Sequence, residues 1–129
     1  MPASILIADD DPNILRALTF LMRREGYDVR VAADGEATLA AIAEATPDVL
    51  LLDLMMPRAN GYDVCRKLRA SSDYDDVRII MLTARGGDAD HSKGLAAGAD
   101  AYVTKPFAIS DVVDCVAGVL ASPRQPQRA

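Results

Sequence analysis

The residues most able to do chemistry in this chain stand directly after its short apolar segments. Five of them share this position: Asp9, Asp10, Asp53, Thr83 and Lys105. Three carboxylates held close together repel one another, and a divalent cation relieves that repulsion. Because the carboxylate ligands are all oxygens, the set favours a hard ion, Mg²⁺ or in its place Mn²⁺.

A carboxylate in such surroundings can attack phosphorus. Aspartate is a known nucleophile of this type and gives an acyl phosphate. A metal ion and the Lys105 ammonium both offset charge on the phosphoryl oxygens, and the Thr83 hydroxyl can donate a hydrogen bond to one of them. Taken singly, each residue could instead be a helix cap or a solubilising residue at a strand end. Taken together, they predict phosphoryl transfer to an aspartate.

The elements that must position these residues alternate between strand and helix patterns. The predicted strands are Ile5–Ala8, Val29–Val31, Val49–Leu52, Val77–Leu82 and Ala101–Val103. The helix patterns start after Asp11, after Asp34, at Gly61 and near Asp88, and a last one carries Val112, Val113, Val116, Val119 and Leu120. Gly26 is placed to end the first helix, and Leu39, Ile42 and Ala43 are expected on the inner face of the second. The fourth, Asp88–Ala97, has a thin apolar face and an internal glycine.

Five strand–helix units predict an α/β fold, a flavodoxin-like doubly wound (βα)5 domain with a five-stranded parallel sheet in the order 2-1-3-4-5. In such sheets ligands bind beyond the carboxyl ends of the strands. The five polar residues are therefore expected at one edge. The domain is expected over residues 1–121, and Ser122–Ala129, rich in Pro, Gln and Arg, is expected to be a disordered tail or the start of a linker.

Composition narrows the classes of function. With 129 residues and a net charge of −5, the chain is the size of one domain and is not expected to bind nucleic acid directly. No signal peptide and no apolar stretch of roughly 20 residues is present, so we expect no membrane span and a cytoplasmic location. Cys65 and Cys115 are expected to be small hydrophobic residues rather than a disulfide or a metal site.

Four segments resemble the receiver domains of bacterial two-component response regulators, including chemotaxis regulators. These are ILIADDDP, DVLLLDLMMPRANGYDVCRKLR, IIMLTA and GADAYVTKPF, and the resemblance extends from Ile5 to Leu120. Asp11 stands where that family often has glutamate, and Met55 and Arg85 occupy positions that vary in it.

The resemblance implies a role for each site residue. Asp53 would be the phosphorylated aspartate and Lys105 would contact the phosphoryl group. Asp10 would bind Mg²⁺ directly and Asp9 largely through water, with Asp53 and the main-chain carbonyl of Met55 completing the protein ligands. Thr83 and Tyr102 would form the switch pair. The family usually has a cis peptide bond between Lys105 and Pro106.

The resemblance also implies a mechanism and partners. The domain would take its phosphoryl group from a phosphohistidine of a sensor histidine kinase or a histidine phosphotransfer protein, catalysing only its own phosphorylation and dephosphorylation. Phosphorylation would then change the face made by helix 4, strand 5 and helix 5, which includes His91 and Lys93. That face would control an unidentified downstream protein or output domain, with phosphorylation-dependent homodimerisation as a further expectation.

Three other classes compete with this interpretation. A haloacid dehalogenase-like phosphatase carries a second aspartate two residues after the nucleophile, where this chain has Met55. A flavodoxin-like cofactor carrier needs a phosphate loop after the first strand, where DDDPN is acidic. A phosphorylation-independent pseudo-receiver would be a pure binding module, which the complete set of site residues opposes. The sequence leaves open whether the chain acts alone or belongs to a longer protein.

Overall fold

The computed structural model describes residues 2–54, 56, 60–83, 98–105 and 107–121. The strands are β1 (Ser4–Ala8), β2 (Asp28–Ala32), β3 (Val49–Asp53), β4 (Arg78–Thr83) and β5 (Ala101–Thr104). The helices are α1 (Pro12–Arg24), α2 (Gly35–Glu44), α3 (Gly61–Arg69) and the C-terminal helix (Ile109–Leu120), with a 3-10 turn at Ser72–Tyr74. The expectations for Met55, Arg85, Asp88–Ala97, the Lys105–Pro106 bond and Ser122–Ala129 fall outside the described residues.

All five strands pair in parallel in the order β2-β1-β3-β4-β5, which confirms the predicted fold class and topology. Strand β4 runs one residue later than predicted at each end. The Val77 amide donates to the Tyr74 carbonyl of the 3-10 turn, whereas Thr83 pairs in register with Thr104. Thr83 is thus the last residue of β4 rather than the first residue after it.

The core has two apolar layers because successive strand residues point to opposite faces of the sheet. One layer contains Leu6, Leu50 and Ile79 and packs with residues of α2 and α3. The other contains Ile7, Leu51 and Leu82 and packs with residues of α1 and the C-terminal helix. The central strands are therefore covered on both sides, as their continuous apolar sequences predict.

Two helix boundaries follow from single residues. The Asp11 side chain caps α1 by accepting a hydrogen bond from the Asn13 amide at 2.9 Å, and Pro12 opens the helix. Gly26 follows the end of α1 with a φ of +93°, a conformation that favours glycine. Both sequence expectations are confirmed, so residues next to each end of α1 determine where the helix begins and ends.

The prediction of which α2 residues face the core was partly wrong. Ala43 is exposed, whereas Thr38 and Ile42 are buried. The Thr38 hydroxyl donates to the Asp34 carbonyl at 2.7 Å, so its polar atom is satisfied within the helix although the residue is buried.

Cys65 is buried and Cys115 is partly buried. Within the described ranges, none of the helices is long and apolar enough to cross a membrane.

Candidate functional site

The carboxyl ends of β1 and β3 bring three aspartates together. Ala8 pairs in register with Leu52, so Asp9, which follows β1, lies beside Asp53, the last residue of β3. One carboxylate oxygen from each of Asp9, Asp10 and Asp53 lies within 4.8 Å of the others. Asp9 and Asp53 are buried and Asp10 is exposed. The predicted convergence at one sheet edge is confirmed for these three residues.

Asp9 is held by hydrogen bonds on both of its oxygens. Its Oδ1 accepts the Asp11 amide at 2.9 Å, and its Oδ2 accepts the Lys105 ammonium at 2.9 Å. The side chain is only 1% exposed. Asp9 thus has less capacity for direct contact with a cation than Asp10, which faces solvent.

Lys105 joins the two buried carboxylates. Its Nζ lies 2.9 Å from Asp9 Oδ2 and 3.3 Å from Asp53 Oδ1, and its main-chain amide donates to the Thr83 carbonyl at 2.6 Å. Burial alone lowers the pKa of Lys105, but the hydrogen bond to Asp9 and the attraction of Asp53 and Asp9 outweigh it and raise the pKa above its ordinary value. The side chain is therefore a cation at neutral pH.

Thr83 and Tyr102 lie on the neighbouring strands of the same half of the sheet. Thr83 is buried and follows Leu82, the register partner of Asp53. Tyr102 pairs in register with Met81, two residues before the end of β4, and its half-buried ring packs against the core layer of α2 and α3. Thr83 is thus at the sheet edge with the acidic residues, whereas Tyr102 lies two residues before the end of its strand.

Gly61, which the sequence predicts as the start of a helix and which lies in one of the segments that carry the resemblance, packs against the site. Its amide donates to the Leu54 carbonyl at 3.0 Å. A Cβ at this position would come within 2.9 Å of both the Asp53 carbonyl oxygen and the Leu54 Cα. The absence of a side chain therefore lets α3 begin directly against the backbone of Asp53.

The donors at this edge suit a hard divalent cation. Three carboxylates and one ammonium leave the group with a formal charge of −2. A divalent ion would neutralise that charge, and its ligands would be carboxylate oxygens, which Mg²⁺ prefers in proteins. Asp10, which faces solvent, is better placed than Asp9 to hold it directly, since both oxygens of Asp9 already accept hydrogen bonds.

Comparison with known proteins points to one family. The family model described as the response regulator receiver domain matches residues 5–117. The DNA-binding response regulator MtrA of Mycolicibacterium smegmatis is 49% identical over 113 residues, 88% of this chain and 48% of that protein. The sensory transduction protein RegX3 of Mycobacterium bovis is 44% identical over 117 residues, 91% of this chain and 50% of that protein. The chain thus spans about half the length of these curated relatives.

Solved structures give the same result. A crystal structure of a protein from Chloroflexus aurantiacus matches with a TM-score of 0.89 and 37% identity, covering 95% of this chain and all of that one. The chemotaxis response regulator CheY4 of Vibrio cholerae matches with a TM-score of 0.88 and 30% identity, covering 92% of this chain and 99% of that one.

The parallel sheet with an acidic, lysine-containing carboxyl edge defines a doubly wound α/β domain with a site at its topological switch point. With the family match, the chain belongs to the response regulator receiver domains of two-component systems, which are signalling proteins.

Proposed function

We propose that this domain accepts a phosphoryl group on Asp53 from a phosphohistidine of a partner protein, with Mg²⁺ bound beside it. The observation that carries the proposal is the position of the Asp53 carboxylate. It lies 3.3 Å from the Lys105 ammonium and within one cluster with Asp9 and Asp10. A nucleophile with a fixed cation on one side and acidic metal ligands on the other has the groups that phosphoryl transfer needs.

In the transfer, an Asp53 oxygen forms a bond to phosphorus as the phosphorus–nitrogen bond of the phosphohistidine breaks. The product is an acyl phosphate, and the electron pair of the broken bond stays on the imidazole. Lys105 moves its hydrogen bonding toward the phosphoryl oxygens. Asp10 and Asp53 would hold Mg²⁺, with Asp9, largely through water, and the main-chain carbonyl of Met55 as further predicted ligands. The bound ion supplies positive charge next to the phosphoryl oxygens.

The new dianion changes which groups Lys105 and Thr83 contact. Lys105 is shared between Asp9 and Asp53 before transfer, so an added negative charge competes for it directly. The Thr83 hydroxyl would donate to a phosphoryl oxygen, and the Tyr102 ring would turn inward into the space that Thr83 vacates. These shifts would bias a two-state rearrangement of the face that contains β5.

The partners follow from the family and its relatives. We propose a sensor histidine kinase or histidine phosphotransfer protein as the donor. The MtrA relatives are named as DNA-binding response regulators and are about twice as long as this chain. We therefore propose that a DNA-binding output domain is one class of target for this receiver. The acidic domain would regulate that target without contacting nucleic acid itself. The cytoplasmic location and phosphorylation-dependent homodimerisation stay predictions.

Intact mass spectrometry after incubation with acetyl phosphate tests the proposal. The chain is expected to gain one phosphoryl group with Mg²⁺ and none with EDTA, and Asp53→Asn is expected to gain none under either condition. Asp48→Asn, which changes an exposed aspartate at the opposite end of β3, is the matched control and should be phosphorylated normally.

A folded protein that gains no phosphoryl group would favour the pseudo-receiver alternative. Turnover of several phosphate monoesters would instead favour a phosphatase of the haloacid dehalogenase type.

A further inference from the structure

The C-terminal residue of α3 makes contacts that no part of the proposed phosphorylation mechanism uses. Arg69 has a side chain only 12% exposed. Its Nε donates to the Gly98 carbonyl at 3.0 Å, its Nη1 to the Tyr74 carbonyl at 3.0 Å, and its Nη2 to the Val77 carbonyl at 2.7 Å. The guanidinium therefore fastens the end of α3 to two other chain segments, residues 74–77 before β4 and Gly98 before β5.

Asp100 connects this guanidinium to the sheet. Its Oδ2 lies 2.9 Å from Arg69 Nη2 and also accepts the Ile79 amide at 2.8 Å. The Asp100 amide in turn donates to the Ile79 carbonyl at 2.8 Å. Both main-chain groups of Ile79 are thus bound by Asp100, one residue before β5 begins.

Gly98 lets the guanidinium reach its partners. The glycine has a φ of +107°, and a Cβ there would come within 2.4 Å of Arg69 Cγ. A side chain at this position would displace the arginine as well as strain the backbone. The conformation of Gly98 and the path of the Arg69 side chain therefore depend on each other.

These contacts fix one end of a very short strand. Strand β5 has four residues and pairs with β4 on one side. At its start it is held by Asp100 and, through Asp100, by Arg69; at its end the Lys105 amide donates to the Thr83 carbonyl. Only the four residues of β5 therefore separate the segment that Asp100 and Arg69 hold from Lys105.

We propose that Arg69 is a positioning residue for Lys105: by fixing the start of β5 through Asp100, it sets where the Lys105 ammonium stands relative to Asp53. The inference rests on the proposed function, in which that ammonium offsets charge on the transferred phosphoryl group. Arg69 itself does not contact the site. Displacing a catalytic group by about 1 Å can reduce a rate up to about a hundredfold.

The test compares three variants of this chain: Arg69→Gln, Asp100→Asn and, as the matched control, Arg66→Gln. Asp100→Asn keeps an oxygen that can accept from Ile79 and removes only the charge that attracts Arg69, so it tests the contact even where Arg69→Gln fails to fold. Arg66 lies on the same helix, 59% exposed, in an exposed pair with Asp63. Two quantities are measured for each: the rate of phosphorylation by acetyl phosphate at saturating Mg²⁺, and the Mg²⁺ dissociation constant by calorimetry.

We expect Arg69→Gln and Asp100→Asn to lower the phosphorylation rate about tenfold while Mg²⁺ binding does not weaken. The acidic residues that would hold the ion follow or end β1 and β3, which the Arg69 contacts do not touch. Arg66→Gln should leave both quantities unchanged.

Phosphorylation rates equal to that of the control in folded variants would overturn the inference. So would a parallel loss of rate and Mg²⁺ affinity, which would indicate general loss of structure. A natural chain that is not phosphorylated at all would refute the proposed function itself.

Discussion

Replacing Lys105 with methionine should destabilise the metal-free domain and do so far less when Mg²⁺ is bound. Methionine keeps most of the length and apolar surface of lysine but removes the charge. The substitution leaves Asp9 and Asp53 buried, with side chains 1% and 6% exposed, beside each other and without their shared cation.

The size of the effect follows from the burial of the three groups. Removing one partner of a buried ion pair costs about 3 to 5 kcal/mol. The lower end applies here, because the Lys105 side chain is 21% exposed and water can partly replace it. A loss of about 3 kcal/mol is a large share of the roughly 5–15 kcal/mol that stabilises a typical domain.

Mg²⁺ should restore much of this loss. The variant site is more negative than the natural one, so it should bind the ion more tightly. At the same saturating concentration of ion, each tenfold gain in affinity stabilises the variant by about 1.4 kcal/mol more than the natural chain. The measurement is the urea midpoint of the natural chain and of Lys105→Met, each in EDTA and in Mg²⁺. Lys67→Met, an exposed lysine of α3, is the control and should change neither midpoint.

A Lys105→Met variant as stable as the natural chain in EDTA would refute the reasoning, since the buried carboxylates would then not depend on the lysine. A loss of the same size in EDTA and in Mg²⁺ would also contradict it, because the ion would not be compensating for the missing charge.

Three further predictions concern single residues. Asp53→Asn should raise the free energy of unfolding in EDTA by about 1 kcal/mol, because it removes one of three mutually repelling carboxylates while Lys105 keeps its 2.9 Å contact with Asp9. It should also reduce the stabilisation by Mg²⁺. A lower urea midpoint in EDTA would contradict this. Gly61→Ala should lower the free energy of unfolding by about 1–3 kcal/mol, because the added Cβ would lie 2.9 Å from the Asp53 carbonyl oxygen. Gly118→Ala, with open space around it, should raise the free energy of unfolding by about 0.5–1 kcal/mol. Equal urea midpoints for the two variants would be inconsistent with the packing. Burial raises the pKa of the Cys115 thiol, so iodoacetamide should alkylate it more slowly in the folded chain than in the urea-unfolded chain. Because the folded state favours the neutral thiol, the contribution of that thiol to stability should be lost as pH rises above about 8.5. Equal alkylation rates in the two states, measured by mass spectrometry, would count against this.

The fold could be predicted because its strands are apolar along their whole length and its polar residues stand at their ends. Val49–Leu52 is buried on both sides, which only a central strand of a covered sheet explains. Parallel pairing then brings Asp9, Asp53 and Lys105 to one edge, although they are far apart in sequence. The three residues converge because of the order and direction of the strands, and the sequence pattern predicted both.

The contacts of individual arginines could not be predicted, because they depend on packing between distant segments. Arg66 and Arg69 look alike in the sequence, yet the first is exposed and the second is nearly buried. The partner that separates them, Asp100, lies 31 residues after Arg69. The closeness of Gly61 to the Asp53 backbone and the inward position of Thr38 in an alanine-rich helix likewise depend on neighbours that no local pattern specifies.

The most direct test of the central claim is to locate the phosphoryl group. After phosphorylation by acetyl phosphate with Mg²⁺, borohydride reduction converts an aspartyl phosphate to homoserine, and peptide mass mapping identifies the residue changed. Homoserine at position 53 alone, dependent on Mg²⁺, is the predicted result. Homoserine at Asp9 or Asp10, or none in a chain that is folded, would contradict the assignment of Asp53 as the phosphoacceptor.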